Sequence, residues 1–229
     1  MPNQQVIRNW LLKGRIKLIE RLACKLGRRD EQPDVELAEY LCEHEDHAGI
    51  KEIVAGLKDS DKRVVNDCIK VLYEIGYRKP ELIAEYYDVF IEHLLSPNNR
   101  LVWGSMIALG TIAHLKPHEI YPHFRKIKHA YENGSVITVD HSITVFAKLS
   151  RADKKYEKEI FPIIIQHLGQ CRPKEVPQHA ERAMICIDAT NVEEFIAVLE
   201  KRKPQLSPPQ FKRVNKVIQQ VARLREDMN

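Results

Sequence analysis

Three side chains near the start of the chain have the donor atoms of a metal site. Cys42, His44 and His47 follow one another in a C-x-H-x-x-H pattern. Thiolate and imidazole groups are common zinc ligands, but this spacing is not that of a zinc finger, and no second pair of ligands follows. The sequence therefore predicts a solvated helix end at this place, and we expect neither a metal nor any other cofactor.

The remaining histidines and cysteines do not form a recognisable catalytic motif. The sequence contains no H-E-x-x-H motif, and neither a catalytic triad nor a glycine-rich phosphate loop can be read from it. The five cysteines lie inside helical patterns without C-x-x-C spacing. An odd number of such cysteines is typical of reduced thiols in a cytoplasmic protein. We therefore predict no catalytic residues and a cytoplasmic location.

The strongest pattern in the sequence is a repeat of about 37 residues. It is clearest around the stretch 98–115, where apolar side chains recur at helical spacing. A preceding apolar helix repeats with the same period. Such a period indicates stacked pairs of helices, so the predicted fold is all-α, an α-solenoid without a β-sheet. The repeated columns are Val65, Val102 and Val139; Cys68, Ser105 and Ser142; Ile69, Met106 and Ile143; Leu72, Leu109 and Phe146; and Ile75, Ile112 and Leu149.

One of these units resembles a HEAT repeat. It is the segment IVAGLKDSDKRVVNDCIKVLYEIG, with an apolar first helix and the matching residues Asp59, Asp61, Val64, Leu72, Ile75 and Gly76. The resemblance covers about residues 48–189 and implies a superhelix of HEAT-like helix pairs. Val65, Val102 and Val139 stand where many HEAT units carry an arginine. At these positions the sequence departs from the Asp–Arg ladder that links repeats in that family.

The period predicts a single solenoid domain over residues 1–229. Capping helices are expected at 1–47, four central repeats at 48–190 and a C-terminal repeat at 191–229. The central repeats occupy about 49–77, 81–115, 118–150 and 155–189, and the last of them has a longer internal loop at 169–177, which displaces its second helix by 41 residues instead of 37.

The two ends of this stack have their own local patterns. One amphipathic helix is expected over residues 4–27, with Gly27 as its C-cap, covering the first repeat. The C-terminal repeat pairs a helix at 191–203 with one at 207–225. Ser207 and Gln210 have the spacing of a capping box at the start of that last helix.

Charge is distributed unevenly along the chain, whose net charge is +4. Lys and Arg outnumber Asp and Glu by eight to two in residues 1–30 and by eight to three in residues 199–229, whereas residues 31–61 hold two basic and ten acidic side chains. The basic ends are typical of solvated terminal repeats, and they also leave nucleic acid as a partner open. Because charges interrupt the first apolar run, we expect neither a signal peptide nor a transmembrane segment.

The candidate binding residues lie on the second helices of the repeats. Asn66, Trp103 and Asp140 share one column, and Gly104 and His141 share the next. Because the equivalents of Trp103 are polar, we expect Trp103 on the concave face, although a core position is the common alternative for tryptophan. Gly104 would leave space beside the ring. These five residues form the predicted partner-binding site.

These observations favour a non-enzymatic HEAT-type scaffold that binds a protein partner on its concave face. The alternative is a nucleic-acid-binding protein related to the HEAT-like alkylpurine DNA glycosylases, whose groove aromatics and aspartate would correspond to Trp103 and Asp140. Against this alternative, the middle second helices carry few of the basic residues that bind DNA phosphates. A third interpretation is a HEAT-type lyase or accessory chaperone that uses Asp140 or a histidine on a bound substrate.

Overall fold

A computed structural model describes residues 17–226 of the chain, with side chains through Arg223. Within this range all regular structure is helical, and no strand occurs. The predicted all-α fold is therefore confirmed. Contacts divide the chain into two compact units, with the boundary between Tyr86 and Tyr87. The single domain expected over residues 1–229 stays a prediction.

The first unit is built on three α-helices, α1 (Gln32–Glu43), α2 (His47–Gly56) and α3 (Lys62–Arg78). Both α1 and α2 pack against α3. Asp46 and Asp61 cap α2 and α3, because their carboxylates accept the first free backbone N–H groups of each helix. Short 3-10 helices flank the three at Leu18–Arg21, Pro80–Leu82 and Ala84–Tyr86.

The helix predicted over residues 4–27 is not continuous in its described part. Residues 4–16 lie outside the described residues, and from Lys17 onward the chain forms the 3-10 helix followed by turns. The reason is that two backbone amides bind carboxylates instead of helical carbonyls. Ala23 N donates to Asp34 Oδ1 at 3.0 Å, and Cys24 N donates to Asp67 Oδ2 at 2.8 Å. Gly27 ends the segment in the left-handed region, at φ 68°, as expected of a C-cap.

The second unit continues the pattern of helix pairs. First helices α4, α6, α8 and α10 each pack against the second helix that follows, and the second helices α5, α7, α9 and α11 pack against one another in chain order. A helical turn at Pro117–Ile120 precedes α6. The helices are α4 (Tyr87–His93), α5 (Asn99–Ile112), α6 (Phe124–Asn133), α7 (Val136–Ala152), α8 (Lys154–Gln170), α9 (Val176–Ala183), α10 (Val192–Arg202) and α11 (Pro208–Glu226).

The columns of the repeat form the cores of these units. Every second-helix column named above is buried in each repeat, except that Val139 is half-buried. Two helices also begin at the residues where the sequence predicts a helix start. Asn98 Oδ1 accepts the amide of Arg100 at 3.2 Å, and the side chain of Gln210 accepts the amide of Ser207 at 2.9 Å. The sequence thus placed both the buried faces and the beginnings of these helices.

Candidate functional site

Trp103 lies on the second helix α5 and is half-buried. Asn98 starts this helix, so Arg100 stands one turn before Trp103. The guanidinium carbon of Arg100 is 5.4 Å from the centroid of the Trp103 ring, within the range of a cation–π contact. The ring is therefore partly accessible and is held beside a positive charge. Its role in binding a partner stays a prediction.

Two other predicted site residues lie in different surroundings. Gly104 is buried, as are all positions of α5 from there to Ile112. The helix α5 packs against α4 and α7. The place of Gly104 in a partner site stays a prediction. Asn66 lies on α3 of the first unit and is half-buried.

Asp140 on α7 is turned toward the next second helix, α9. Its Oδ1 lies 2.7 Å from His179 Nε2, and its Oδ2 accepts a hydrogen bond from Gln178 Nε2 at 3.3 Å. His179 is fully buried, and Asp140 is half-buried. Both carboxylate oxygens are thus engaged within the protein. This geometry gives the glycosylase interpretation no support, because the aspartate of a glycosylase must be directed at a bound nucleotide.

His141, beside Asp140, also meets α9. Arg182 Nη1 lies 3.4 Å from His141 Nδ1 and donates a hydrogen bond to Thr144 Oγ1 at 2.7 Å. Burial lowers the pKa of His141 to about 4, and the positive charge of Arg182 acts in the same direction. His141 is therefore a neutral acceptor at neutral pH. The two described partners of Arg182, His141 and Thr144, thus carry no negative charge.

A line of hydrogen bonds runs from Asp140 into the interior of the second unit. His179 Nδ1 lies 2.8 Å from His167 Nε2, and His167 Nδ1 lies 2.9 Å from the hydroxyl of Tyr131. The Asp140 carboxylate accepts from His179 Nε2–H, and a single proton lies between the two facing ring nitrogens, His179 Nδ1 and His167 Nε2. Burial lowers the pKa of His167 to about 4, and His179 adds to this shift, which keeps the ring neutral.

One group of side chains in the described residues has the spacing of a metal site. It consists of His167, Cys171 and His179, whose ligand atoms all lie within 4.8 Å of one another. The cluster considered from the sequence is arranged differently: Cys42 is buried, whereas His44 is exposed and stacks on Tyr40, with ring centroids 4.3 Å apart.

The sequence patterns missed His167, His179 and Arg182 as partners of the predicted site. All three belong to the fourth repeat, where the second helix is displaced from the 37-residue period. The displacement itself was visible, and it marks the place where α9 presents polar side chains to α7. Which side chains meet there depends on packing between helices that the repeat does not define.

Comparison with known proteins identifies the fold. No protein-family model and no curated protein matches the sequence. A computationally designed armadillo repeat protein for modular peptide recognition matches 95% of this chain and 94% of its own at 12% identity, with a TM-score of 0.63. A designed armadillo repeat protein in complex with the peptide (KR)4 has the same coverage and identity and a TM-score of 0.61. The chain has the fold of HEAT- and armadillo-type helical repeat proteins.

A natural repeat protein is among the similar structures. The archaeal HEAT-like repeats protein from Thermococcus onnurineus NA1 matches 98% of this chain and 99% of its own at 15% identity, with a TM-score of 0.47. At such identities the likeness concerns the fold alone. Among the described helices, none combines the length and the apolar character needed to cross a membrane.

Proposed function

We propose that this chain is a non-enzymatic scaffold that binds an extended segment of a partner protein along its second helices. We call the non-core side chains of α5, α7 and α9 the second-helix face; among them are Arg100, Trp103, Asp140, His141 and Arg182. The observation that carries the proposal is the half-buried Trp103, at a position where the neighbouring repeats have Asn66 and Asp140. Tryptophan and arginine are the residues that most often supply binding energy at protein interfaces.

The charges of this face indicate which segments would bind. Arg182 is half-buried, and its described partners, His141 and Thr144, carry no negative charge. Arg100 lies against the Trp103 ring. A peptide carboxylate would pair with Arg182 through charge-assisted hydrogen bonds, while an apolar side chain of the same peptide packs on Trp103. We therefore propose an acidic segment with an apolar anchor.

The similar structures support this kind of function without naming the partner. One designed armadillo protein is described as built for modular peptide recognition, and another is bound to the basic peptide (KR)4. Helical repeat proteins use their long surfaces for extended ligands. Here Arg182, whose described partners carry no negative charge, favours a ligand of the opposite charge to (KR)4.

The test is selection of peptides on the purified full-length chain from a random display library. We expect the selected peptides to be enriched in Asp and Glu around an apolar residue. Their dissociation constants, measured by fluorescence anisotropy, should rise about 30-fold in Trp103→Ala, the equivalent of about 2 kcal/mol. Arg182→Gln should weaken binding of the acidic peptides and leave the neutral analogues of those peptides unaffected.

Leu95→Ala is the matched control, since Leu95 is an exposed apolar side chain of the same unit, outside its α-helices. It should leave the dissociation constants unchanged. Selection that enriches no peptide, or peptides whose binding is the same in Trp103→Ala and Arg182→Gln as in the wild type, would remove this proposal. Enrichment of basic peptides would contradict its charge preference.

A further inference from the structure

The sulfur of Cys171 lies close to the buried pair His167 and His179. Their ligand atoms are all within 4.8 Å of one another, and the two facing ring nitrogens, His167 Nε2 and His179 Nδ1, are 2.8 Å apart. His167 and His179 are buried, whereas Cys171 is half-buried and borders the solvent. Two imidazoles and one thiol thus converge on one point at the edge of the second unit.

The outer nitrogens of both rings are already held by other groups. His179 Nε2 is bound to Asp140 Oδ1, and His167 Nδ1 is bound to the Tyr131 hydroxyl. Metal-binding histidines commonly donate their second N–H to a carboxylate or another oxygen, which fixes the ring and selects the tautomer that binds the metal. Here the Asp140 carboxylate and the Tyr131 oxygen stand where they accept these N–H groups, and His167 Nε2 and His179 Nδ1 face each other.

The chain holds Cys171 in this position from two sides. Cys171 follows α8 directly, and its amide donates to the carbonyl of His167 at 2.8 Å, which places the two residues one helical turn apart. The buried guanidinium of Arg202 on α10 donates to the carbonyls of Leu168 and Cys171 at 3.1 and 2.5 Å. The Cys171 thiol itself makes a long contact of 3.9 Å to the Leu168 carbonyl.

We propose that His167, Cys171 and His179 bind a zinc ion, with Asp140 and Tyr131 as the groups that orient the two imidazoles. In a tetrahedral complex with Zn–N bonds of about 2.0–2.1 Å and a Zn–S bond of about 2.3 Å, the ligand atoms are about 3.3–3.7 Å apart. The observed group reaches that arrangement through shifts of about 1 Å or less. A water molecule from the exposed side of Cys171 completes the coordination.

Charge and ligand type agree with zinc. Binding replaces the proton of the Cys171 thiol, so the thiolate and the Asp140 carboxylate together balance the two positive charges of the ion. A thiolate with two imidazoles suits zinc or copper and does not suit magnesium or calcium, which prefer oxygen ligands. The proposed zinc site is separate from the proposed peptide-binding surface. Its ligands His167 and His179 are buried and do not belong to the second-helix face.

The experiment uses the full-length chain, reduced and freed of metal by a chelator. Titration with Zn²⁺ against a chromophoric competitor should show one tightly bound ion per chain. Co²⁺ should give the intense near-ultraviolet charge-transfer band of a cobalt–thiolate bond. In Cys171→Ser the band should disappear, and the zinc affinity should fall at least 100-fold. In Asp140→Asn the affinity should fall about 10–100-fold while the band remains, as expected for a group that orients a ligand.

Cys24→Ser is the control, because Cys24 is also half-buried but lies in the first unit. It should keep both the stoichiometry and the cobalt band. Circular dichroism of each variant without metal shows that the fold is intact, and Cys171→Ser changes only one atom of a half-buried side chain. A chain that binds no Zn²⁺ at micromolar concentrations would overturn the proposal. So would a cobalt band that survives in Cys171→Ser or is lost in Cys24→Ser.

Discussion

The surroundings of His141 link a single residue to the pH dependence of stability. Burial and, to a smaller extent, Arg182 lower the pKa of this ring to about 4, whereas its pKa in an unfolded chain is about 6.5. Between these values the unfolded chain binds a proton that the folded chain does not. The free energy of unfolding therefore decreases as the pH falls from about 6.5 toward 4.

We predict that His141→Gln weakens this pH dependence. Urea denaturation between about pH 7 and pH 4.5 should give a slope smaller by up to about 1 kcal/mol per pH unit in the variant, since glutamine has no proton to bind. The exposed His129 provides the control, and His129→Gln should keep the wild-type slope. If His141→Gln and the wild type lose stability in parallel, the imidazole is not the neutral group described above.

A second prediction concerns how much Trp103 contributes to stability. Because its ring is half-buried, Trp103→Ala should cost less than the about 3–5 kcal/mol of a fully buried tryptophan. Leu109→Ala, at a fully buried position of the same helix, should cost about 2–5 kcal/mol. Thermal melts of the two variants should therefore show the larger decrease for Leu109→Ala. A decrease for Trp103→Ala that exceeds it would assign Trp103 to the core.

At the scale of helices, Arg202 joins α10 to the end of α8. Its guanidinium is buried and satisfies the carbonyls of Leu168 and Cys171, which have no helical partner at this terminus. Arg202→Ala should leave these carbonyls without that donor and destabilise the protein by about 2–5 kcal/mol in urea denaturation. The neighbouring Lys201 is exposed, so Lys201→Ala should change the stability by no more than about 0.5 kcal/mol. Equal stability of the two variants would contradict this role.

Helices could be predicted from the sequence wherever local patterns define them. The 37-residue period identified the buried columns, since residues such as Leu72, Leu109 and Phe146 repeat both in type and in environment. The continuous helix predicted over residues 4–27 was wrong in its described part, from residue 17 onward, because Asp34 and Asp67 bind the amides of Ala23 and Cys24 from distant parts of the chain. Such side-chain contacts leave no periodic trace in the sequence.

At the scale of the whole molecule, the repeat predicted the fold but not the polar contacts within it. Asp140 and His141 were selected by their column, yet their partners Gln178, His179 and Arg182 follow a different spacing. That spacing arises where the longer loop of the fourth repeat shifts α9 against α7. The partners that contact Asp140 and His141 from the next repeat therefore lie where the period is broken. A site predicted only from the regular columns includes one residue of each such contact and omits its partner.

The charge of the molecule leads to the last prediction, which concerns DNA. A protein that binds the duplex through six to ten phosphates loses about 10³–10⁵-fold in affinity between about 50 and 200 mM salt. On the described second helices several cations are already engaged: Arg63 pairs with Asp61, Arg100 lies over Trp103, and Lys148 donates to the Thr111 carbonyl. Burial also lowers the pKa of Lys148, which reduces its value as a phosphate ligand. We therefore expect duplex binding no tighter than the nonspecific range of about 10⁻⁴–10⁻⁶ M at physiological salt.

An assay of base release from duplex DNA tests the glycosylase alternative directly. The purified chain should release no alkylated base from duplex DNA, because the Asp140 carboxylate is bound to His179 and Gln178. Asp140→Asn is the informative variant, since it keeps the shape of the side chain and removes its charge. Base release by the wild type that is lost in Asp140→Asn, together with a steep salt dependence of binding, would replace the scaffold proposal with a DNA-repair function.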